Sequence, residues 1–259
     1  MIDFKLKADN EADILIYGDI GESFWSDENV TAKQFAKDLK AIGDVGKLNL
    51  FINSGGGNVF DAQAIYSMLK RHNSTKNVYI DGLAASAASV IAMAGDQITM
   101  PANAMLMIHK AWAAQGGNAD DMRKLADTLD QVDSSIAETY QAKTGKTKDE
   151  IMELLAAETW LTADEALENG FIDTIENEVK VAASIDGGFL IYGEVQVDIT
   201  NYKNFKPDTI ETYRAAVETP EPVVDSIPDP DPEPEKPDLQ AQDNYFMELR
   251  KKLTGGTQA

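Results

Sequence analysis

Apolar positions along the first 170 residues fall into two rhythms: short runs bounded by glycine or polar residues, and longer stretches at helical spacing. Residues 12–18, Ala-Asp-Ile-Leu-Ile-Tyr-Gly, alternate loosely and stop at a glycine, which predicts a strand. Residues 19–29 read as a loop. Thr31 then caps a helix through Leu39, with Ala32, Phe35, Ala36 and Leu39 at helical spacing. A second strand, 47–52, runs into Asn53-Ser54-Gly55-Gly56-Gly57-Asn58, and Val59, Ala62, Ile65, Tyr66 and Leu69 stripe a helix over 59–70. A third strand, 76–80, enters Asp81-Gly82-Leu83-Ala84-Ala85-Ser86-Ala87-Ala88, a tight turn into a helix of small residues. Residues 97–100, stopped by Pro101, and 104–109 are further strands. Ala119 to Lys143 forms a long helix whose Met122, Leu125, Leu129, Val132, Ile136 and Tyr140 make one stripe. Capping boxes at Thr147/Glu150 and Thr162/Glu165 start two short helices. Strands alternating with helices over short connections predict an α/β fold with right-handed crossovers and a largely parallel sheet.

Beyond Asp173 the texture changes. Residues 178–181 and 189–192 flank Asp186-Gly187, a hairpin signal. Seven of the nine prolines lie between 218 and 238, beside a single basic residue, Lys236, so this stretch cannot build a core and reads as a disordered acidic linker. Tyr245, Phe246, Leu249 and Leu253 stripe a short terminal helix. The expected organisation is a folded domain over 1–185, a hairpin or extension over 186–217, the linker over 218–242 and a C-terminal peptide over 243–259.

The 259 residues carry a formal charge of −21, which argues against nucleic acid or an anionic membrane as partner. There is no cysteine, so disulfides and thiolate chemistry are excluded. The first seven residues lack the apolar core of a signal peptide, and the longest apolar run, near 82–95, is too short and too Ala-rich to span a bilayer. A cytoplasmic location is expected.

Candidate chemistry is sparse. The glycines at 55–57 follow a strand, but Asn58-Val59 stand where a phosphate loop needs Lys-Ser/Thr, and Phe60 breaks the dinucleotide fingerprint. A tight turn or an oxyanion-binding loop remains, and no cofactor is implied. Ser86 stands where a strand turns into a helix, near free backbone N–H groups and a positive dipole end; read alone, its ordinary reading is a residue of an Ala-rich core helix packed on the sheet. Only two histidines exist. His109 closes an apolar strand, where a satisfied core histidine is the ordinary reading, and His72 sits at a basic helix end. Glu158, beside Trp160, is by itself an ordinary surface carboxylate.

Four blocks, however, occur together and in order: Ile52-Asn53-Ser54-Gly55-Gly56-Gly57-Asn58-Val59, Gly82-Leu83-Ala84-Ala85-Ser86-Ala87-Ala88, Met107-Ile108-His109, and Trp160-Leu161-Thr162-Ala163-Asp164-Glu165-Ala166 with Gly170-Phe171-Ile172-Asp173. Over residues 10–180 or so the chain resembles the Clp protease proteolytic subunit (ClpP) family of serine peptidases. The resemblance implies a ClpP/crotonase-like fold of repeated ββα-type units with a protruding handle helix. It implies Ser86 as nucleophile, His109 as general base, Glu158 at the position of the triad carboxylate, and the N–H groups of Gly56 and Ala87 as oxyanion hole. Two departures stand out: Gly55 replaces the family's usual proline, and Glu158 is one methylene longer than its usual aspartate, with Asp164 and Asp173 as nearby substitutes.

The resemblance further implies a polypeptide substrate and a homo-oligomer, a heptameric ring or stacked rings meeting through the 119–143 helix. The acidic extension and Glu-Thr-Trp-Leu-Thr-Ala look like phage and prophage members that process capsid or scaffold proteins during head maturation. The rival readings are a subunit partnered by a Clp ATPase, which this chain does not itself contain, a catalytically inactive ring scaffold, and a crotonase-type acyl-CoA enzyme. A serine–lysine peptidase using Lys110 is disfavoured because Lys110 faces away from His109 in a regular strand.

Overall fold

The computed structural model describes residues 2–7, 10–22, 29–176, 183–186, 189–192, 195–200 and 202–205. The chain divides into two units, Met1–Thr219 and Pro220–Ala259. The linker expected over 218–242 and the helix expected near the C-terminus lie outside the described residues.

Strand β1 (Ile2–Leu6) pairs antiparallel with β2 (Glu11–Tyr17). The expected loop that follows contains two two-residue strands, β3 (Asp19–Ile20) and β4 (Asn29–Val30), which pair in parallel. Helix α1 (Ala32–Ile42) is capped as predicted, Thr31 Oγ1 accepting from the Gln34 N–H. There follow β5 (Lys47–Ser54), α2 (Val59–Arg71), β6 (Thr75–Ala85), α3 (Ala87–Ala92), β7 (Gln97–Pro101) and β8 (Met105–Ile108). Helix α4 (Ala119–Thr144) leads to α5 (Lys148–Ala156), β9 (Thr159–Leu161), α6 (Ala163–Glu168) and β10 (Thr174–Glu176). A small antiparallel sheet of β11 (Ala183–Asp186), β12 (Phe189–Tyr192) and β13 (Val195–Asp198) ends the described chain's regular structure.

The main sheet runs β1-β2-β5-β6-β7-β10, with β8 joined to both β6 and β9. All its pairings are parallel except β1/β2 and β8/β9. The prediction of a largely parallel sheet therefore holds. Alternation decides what is buried: Ala12, Ile14 and Ile16 of β2 and Leu48, Leu50 and Ile52 of β5 are fully enclosed, covered by Phe35 of α1 and by Ala62, Ile65 and Leu69 of α2. Burial of each of these Ile, Leu and Phe side chains contributes about 1.5–3 kcal/mol.

Strand β6 changes partners along its length. Residues 77–79 pair with β7, whereas 83–85 pair with β8, the handover falling around Gly82. This extends β6 to Ala85, beyond the expected end at residue 80, and brings Ser86 alongside the end of β8. Helix α3 is only six residues long. Strands β1, β9 and β10 were not predicted; β9 and β10 are three residues each and exist because β8 and β7 offer them an edge.

Both capping boxes form as the sequence predicts, Thr147 with Glu150 and Thr162 with Glu165, and a third, Asn118 with Asp121, opens α4. The C-terminal half of α4 is buried through Val132, Ile136, Ala137 and Tyr140, while Leu125 and Leu129 are only half-buried and Met122 is 37% exposed. The helix thus stands off the body at its start, as a handle would. The hairpin signal at Asp186-Gly187 is met by β11 and β12. Residues 178–181, expected as its first strand, lie outside the described residues. Strand β11 spans the expected boundary at 185/186, and the small sheet packs on the body through Leu190 and Val197, which join Leu83, Ala85, Met105 and Met107 in a second buried cluster.

Candidate active site

Ser86 has φ 52° and ψ −123°, a conformation that costs a non-glycine residue on the order of 1–3 kcal/mol and persists only where its surroundings enforce it. The enforcement is visible. The Ser86 N–H donates to Met107 O at 2.9 Å, tying the turn to β8. Its carbonyl accepts from the Ser89 N–H at 3.0 Å and from Ser89 Oγ at 2.6 Å. Because the one hydroxyl proton of Ser89 is committed there, the 2.8 Å contact between Ser89 Oγ and Tyr140 Oη has the tyrosine as donor. Tyr140 reaches in from α4 and is fully buried, and burial holds its hydroxyl pKa far above the ordinary value.

The glycine loop lies flush against this turn. Gly56 has φ +102°, and a Cβ there would stand 2.7 Å from Ala85 O and Ser86 Cβ and 2.9 Å from Ala87 N. Gly57, at φ +140°, would collide with Ile20 O at 2.1 Å. Only glycine satisfies both the left-handed backbone and the contact distance. The Gly56 N–H donates to Ser54 Oγ at 3.1 Å, and Ser54 Oγ donates onward to Gly18 O at 2.6 Å. Ala87 is the first residue of α3, so its N–H has no partner within the helix.

His109 follows directly on β8, and the register of β8 beside β6 carries it to the serine: Nε2 lies 2.8 Å from Ser86 Oγ. Burial pushes the imidazole pKa below its ordinary 6.5, with the charges of Glu158 and then Asp133 pulling the other way. A cleft of about 760 Å³ opens over the pair and includes Gly56, Ala87 and Trp112 in its lining.

Glu158 sits at φ 49° between α5 and β9. Its Oε1 accepts from the Asn204 N–H at 2.9 Å and from Trp160 Nε1 at 3.5 Å. Among the described residues no hydrogen bond joins it to His109, and it opens on a separate hollow shared with Trp160, Thr162 and Asn204. The substitutes named from the sequence are placed elsewhere: Asp173 accepts from the Ile98 N–H at 2.7 Å and from Lys143 Nζ at 2.6 Å, and Asp164 opens α6. His72 contacts Ser74 Oγ and Gly43 O, away from the cleft. Sequence reasoning passed over Asp133, which is 2% exposed and accepts from the Ala111 N–H at 2.7 Å, and over Tyr140 and Ser89. A buried aspartate in an otherwise apolar helical stripe was the available signal. Lys110 Nζ lies 3.6 Å from Asp133 Oδ2, with which it forms an ion pair. Among the described residues no group of three or more His, Asp or Glu is placed to hold a metal ion, and no helix is long and apolar enough to cross a membrane.

A serine forced into a strained strand-to-helix turn, in contact with an imidazole and flanked by a glycine loop, matches the arrangement that serine-type hydrolases use. The chain belongs to the Clp protease family, whose model matches residues 3–179. It is 35% identical over 132 residues to the ATP-dependent Clp protease proteolytic subunit 2 of Tropheryma whipplei (strain Twist), spanning 50% of this chain and 73% of that protein. The corresponding subunit of Thermobifida fusca (strain YX) is 36% identical over 132 residues, 49% of this chain and 64% of that one. In structure the chain resembles a ClpP1 mutant from Listeria monocytogenes, with a TM-score of 0.55 and 24% identity over 64% of this chain and 91% of the other, a likeness of fold. The protein is a serine-type peptidase of that family.

Proposed function

We propose that Ser86 is the nucleophile, His109 the general base, Glu158 the triad-position carboxylate, acting on that imidazole through its charge, and the N–H groups of Gly56 and Ala87 the oxyanion hole. The observation that carries this reading is the 2.8 Å contact between His109 Nε2 and Ser86 Oγ, at a backbone conformation that a non-glycine residue rarely adopts. Burial keeps the imidazole neutral near pH 7, so Nε2 can take the Oγ proton as Oγ bonds to the substrate carbonyl carbon. The carbonyl π electrons move to oxygen, and the resulting anion is met by Ala87 N–H at the start of α3. The Gly56 N–H joins it by turning from Ser54 Oγ, to which it is bonded without substrate. His109 then gives its proton to the departing amine as the C–N bond breaks. Water attacks the acyl-enzyme by the same route, releasing the acid and restoring Ser86. One oxyanion donor of this kind contributes on the order of 100-fold or more in rate.

At the level of biological role we propose processing of phage capsid or scaffold protein within a homo-oligomeric ring. The support is the acidic, proline-rich extension past the family match and the apolar start of α4 that the body leaves uncovered. A second reading, a proteolytic subunit served by a separate Clp ATPase, is favoured by the ATP-dependent subunits to which the chain is similar.

Intact-mass spectrometry after treatment with a fluorophosphonate tests the chemistry. One adduct on wild type, none on Ser86→Ala, and loss of peptidase activity in His109→Ala but not His72→Ala are expected; full activity in His109→Ala would sink the mechanism. Limited cleavage of a capsid or scaffold substrate, set against processive degradation of a folded substrate once a Clp unfoldase is added, separates the two roles.

A further inference from the structure

The family match ends at residue 179, yet part of the cleft over Ser86 is built by residues beyond it. Gln196, Val197 and Tyr202 line that cleft. Val197 is 7% exposed and belongs to the buried cluster with Leu83, Met105 and Leu190. Its methyls fill the space above the glycine loop: a Cβ on Gly55 would stand 2.8 and 3.0 Å from them. Gly55 has no positive φ, so the valine, and not the backbone, is what excludes a side chain there.

The segment is anchored on the other side of the site as well. The Tyr202 ring lies 5.7 Å from the His109 ring and meets Trp160 edge-on at 5.4 Å; Phe205 meets the same indole at 4.8 Å. The Asn204 N–H donates to Glu158 Oε1 at 2.9 Å, and its side-chain amide donates to Ala157 O. Thus the two positions that depart from the family pattern, Gly55 and Glu158, are both contacted by this one segment. A wall held at Gly55, Trp160 and Glu158 keeps a fixed shape, and a fixed apolar wall discriminates between substrates by volume.

We propose that Gln196, Val197 and Tyr202 form the specificity wall of this active site, with Val197 and Tyr202 restricting the space beside Ser86 so that small side chains are preferred next to the scissile bond. The proposal rests on Ser86 being the nucleophile. Removing wall volume should admit larger side chains, and filling a well-packed apolar pocket by a methylene or two changes selectivity by about tenfold or more.

The test uses full-length wild type, Val197→Ala, Tyr202→Ala and Val197→Ile. Each is titrated first with a small fluorophosphonate and then assayed on matched peptides bearing Ala or Phe before the scissile bond. With rates expressed per labelled site, the expected result is a Phe/Ala ratio of kcat/KM raised about tenfold in Val197→Ala and Tyr202→Ala and lowered in Val197→Ile. An unchanged ratio per labelled site would overturn the wall. If Val197→Ala does not fold, Tyr202→Ala and Val197→Ile decide between the same two outcomes. Failure of wild type to label would instead overturn the nucleophile reading, and the wall with it.

Discussion

At the scale of single residues, the mechanism proposed for this site depends on keeping the His109 imidazole neutral. Burial lowers the His109 pKa and the charge of Glu158 partly restores it. Because only the neutral ring accepts the serine proton, kcat/KM should fall as pH drops through a value below 6.5. Glu158→Gln removes the larger of the two charges that raise this pKa, so the acid limb should move further toward low pH while the plateau rate also drops. A pH–rate profile of both proteins checks this, and an acid limb displaced upward would contradict it. Stability follows the same sign. The unfolded chain binds the proton first, so the contribution of His109 is complete above 6.5 and is lost as pH falls from there through the folded value.

At the scale of elements, the strained turn is a joint product of β6, β8, α3 and α4. Its least obvious support is Tyr140, 54 positions after Ser86 in the chain, whose hydroxyl donates to Ser89 Oγ while Ser89 donates to the Ser86 carbonyl. Tyr140→Phe keeps the ring in its buried slot and deletes that donor. It should cost about 0.5–1.5 kcal/mol by denaturant unfolding and lower kcat more than it changes KM. Equal kcat in the two proteins would show that the turn needs no help from α4. Gly56→Ala is the harsher case. Its Cβ would drive against Ala85 O, Ser86 Cβ and Ala87 N, none of which is the free end of a flexible side chain, so loss of fluorophosphonate labelling is expected.

At the scale of the molecule, α4 is unequally covered. Its second half is core, but Leu125 and Leu129 are half-buried and Met122 is exposed, on a helix that starts with its own capping box and needs no support from the body to begin. An apolar stripe left in that state fits a surface completed by another copy. Leu125→Glu with Leu129→Glu should reduce the mass observed by analytical ultracentrifugation and leave the thermal midpoint of the domain within a few degrees. An unchanged mass would show that this stripe makes no contact between copies.

The helices and their caps were legible because they are local: Thr31, Thr147 and Thr162 announce starts three residues ahead, and spacing of three and four marks the buried faces. Strands β9 and β10 were not, since three residues carry no rhythm and only a neighbour's free edge makes them strands. In the site, the glycine loop, Ser86 and His109 each have an ordinary structural reading when taken alone, and only their occurrence together in blocks that resemble one family singles them out of the chain. What only the tertiary structure decided are the partners: Met107 O for the Ser86 amide, Tyr140 for Ser89, Val197 over Gly55, and Asn204 on Glu158. Each joins residues more than 20 positions apart in the chain. A sequence specifies the groups that chemistry needs, but which distant backbone amide or methyl meets them depends on how strands share edges and where a later segment of the chain folds back.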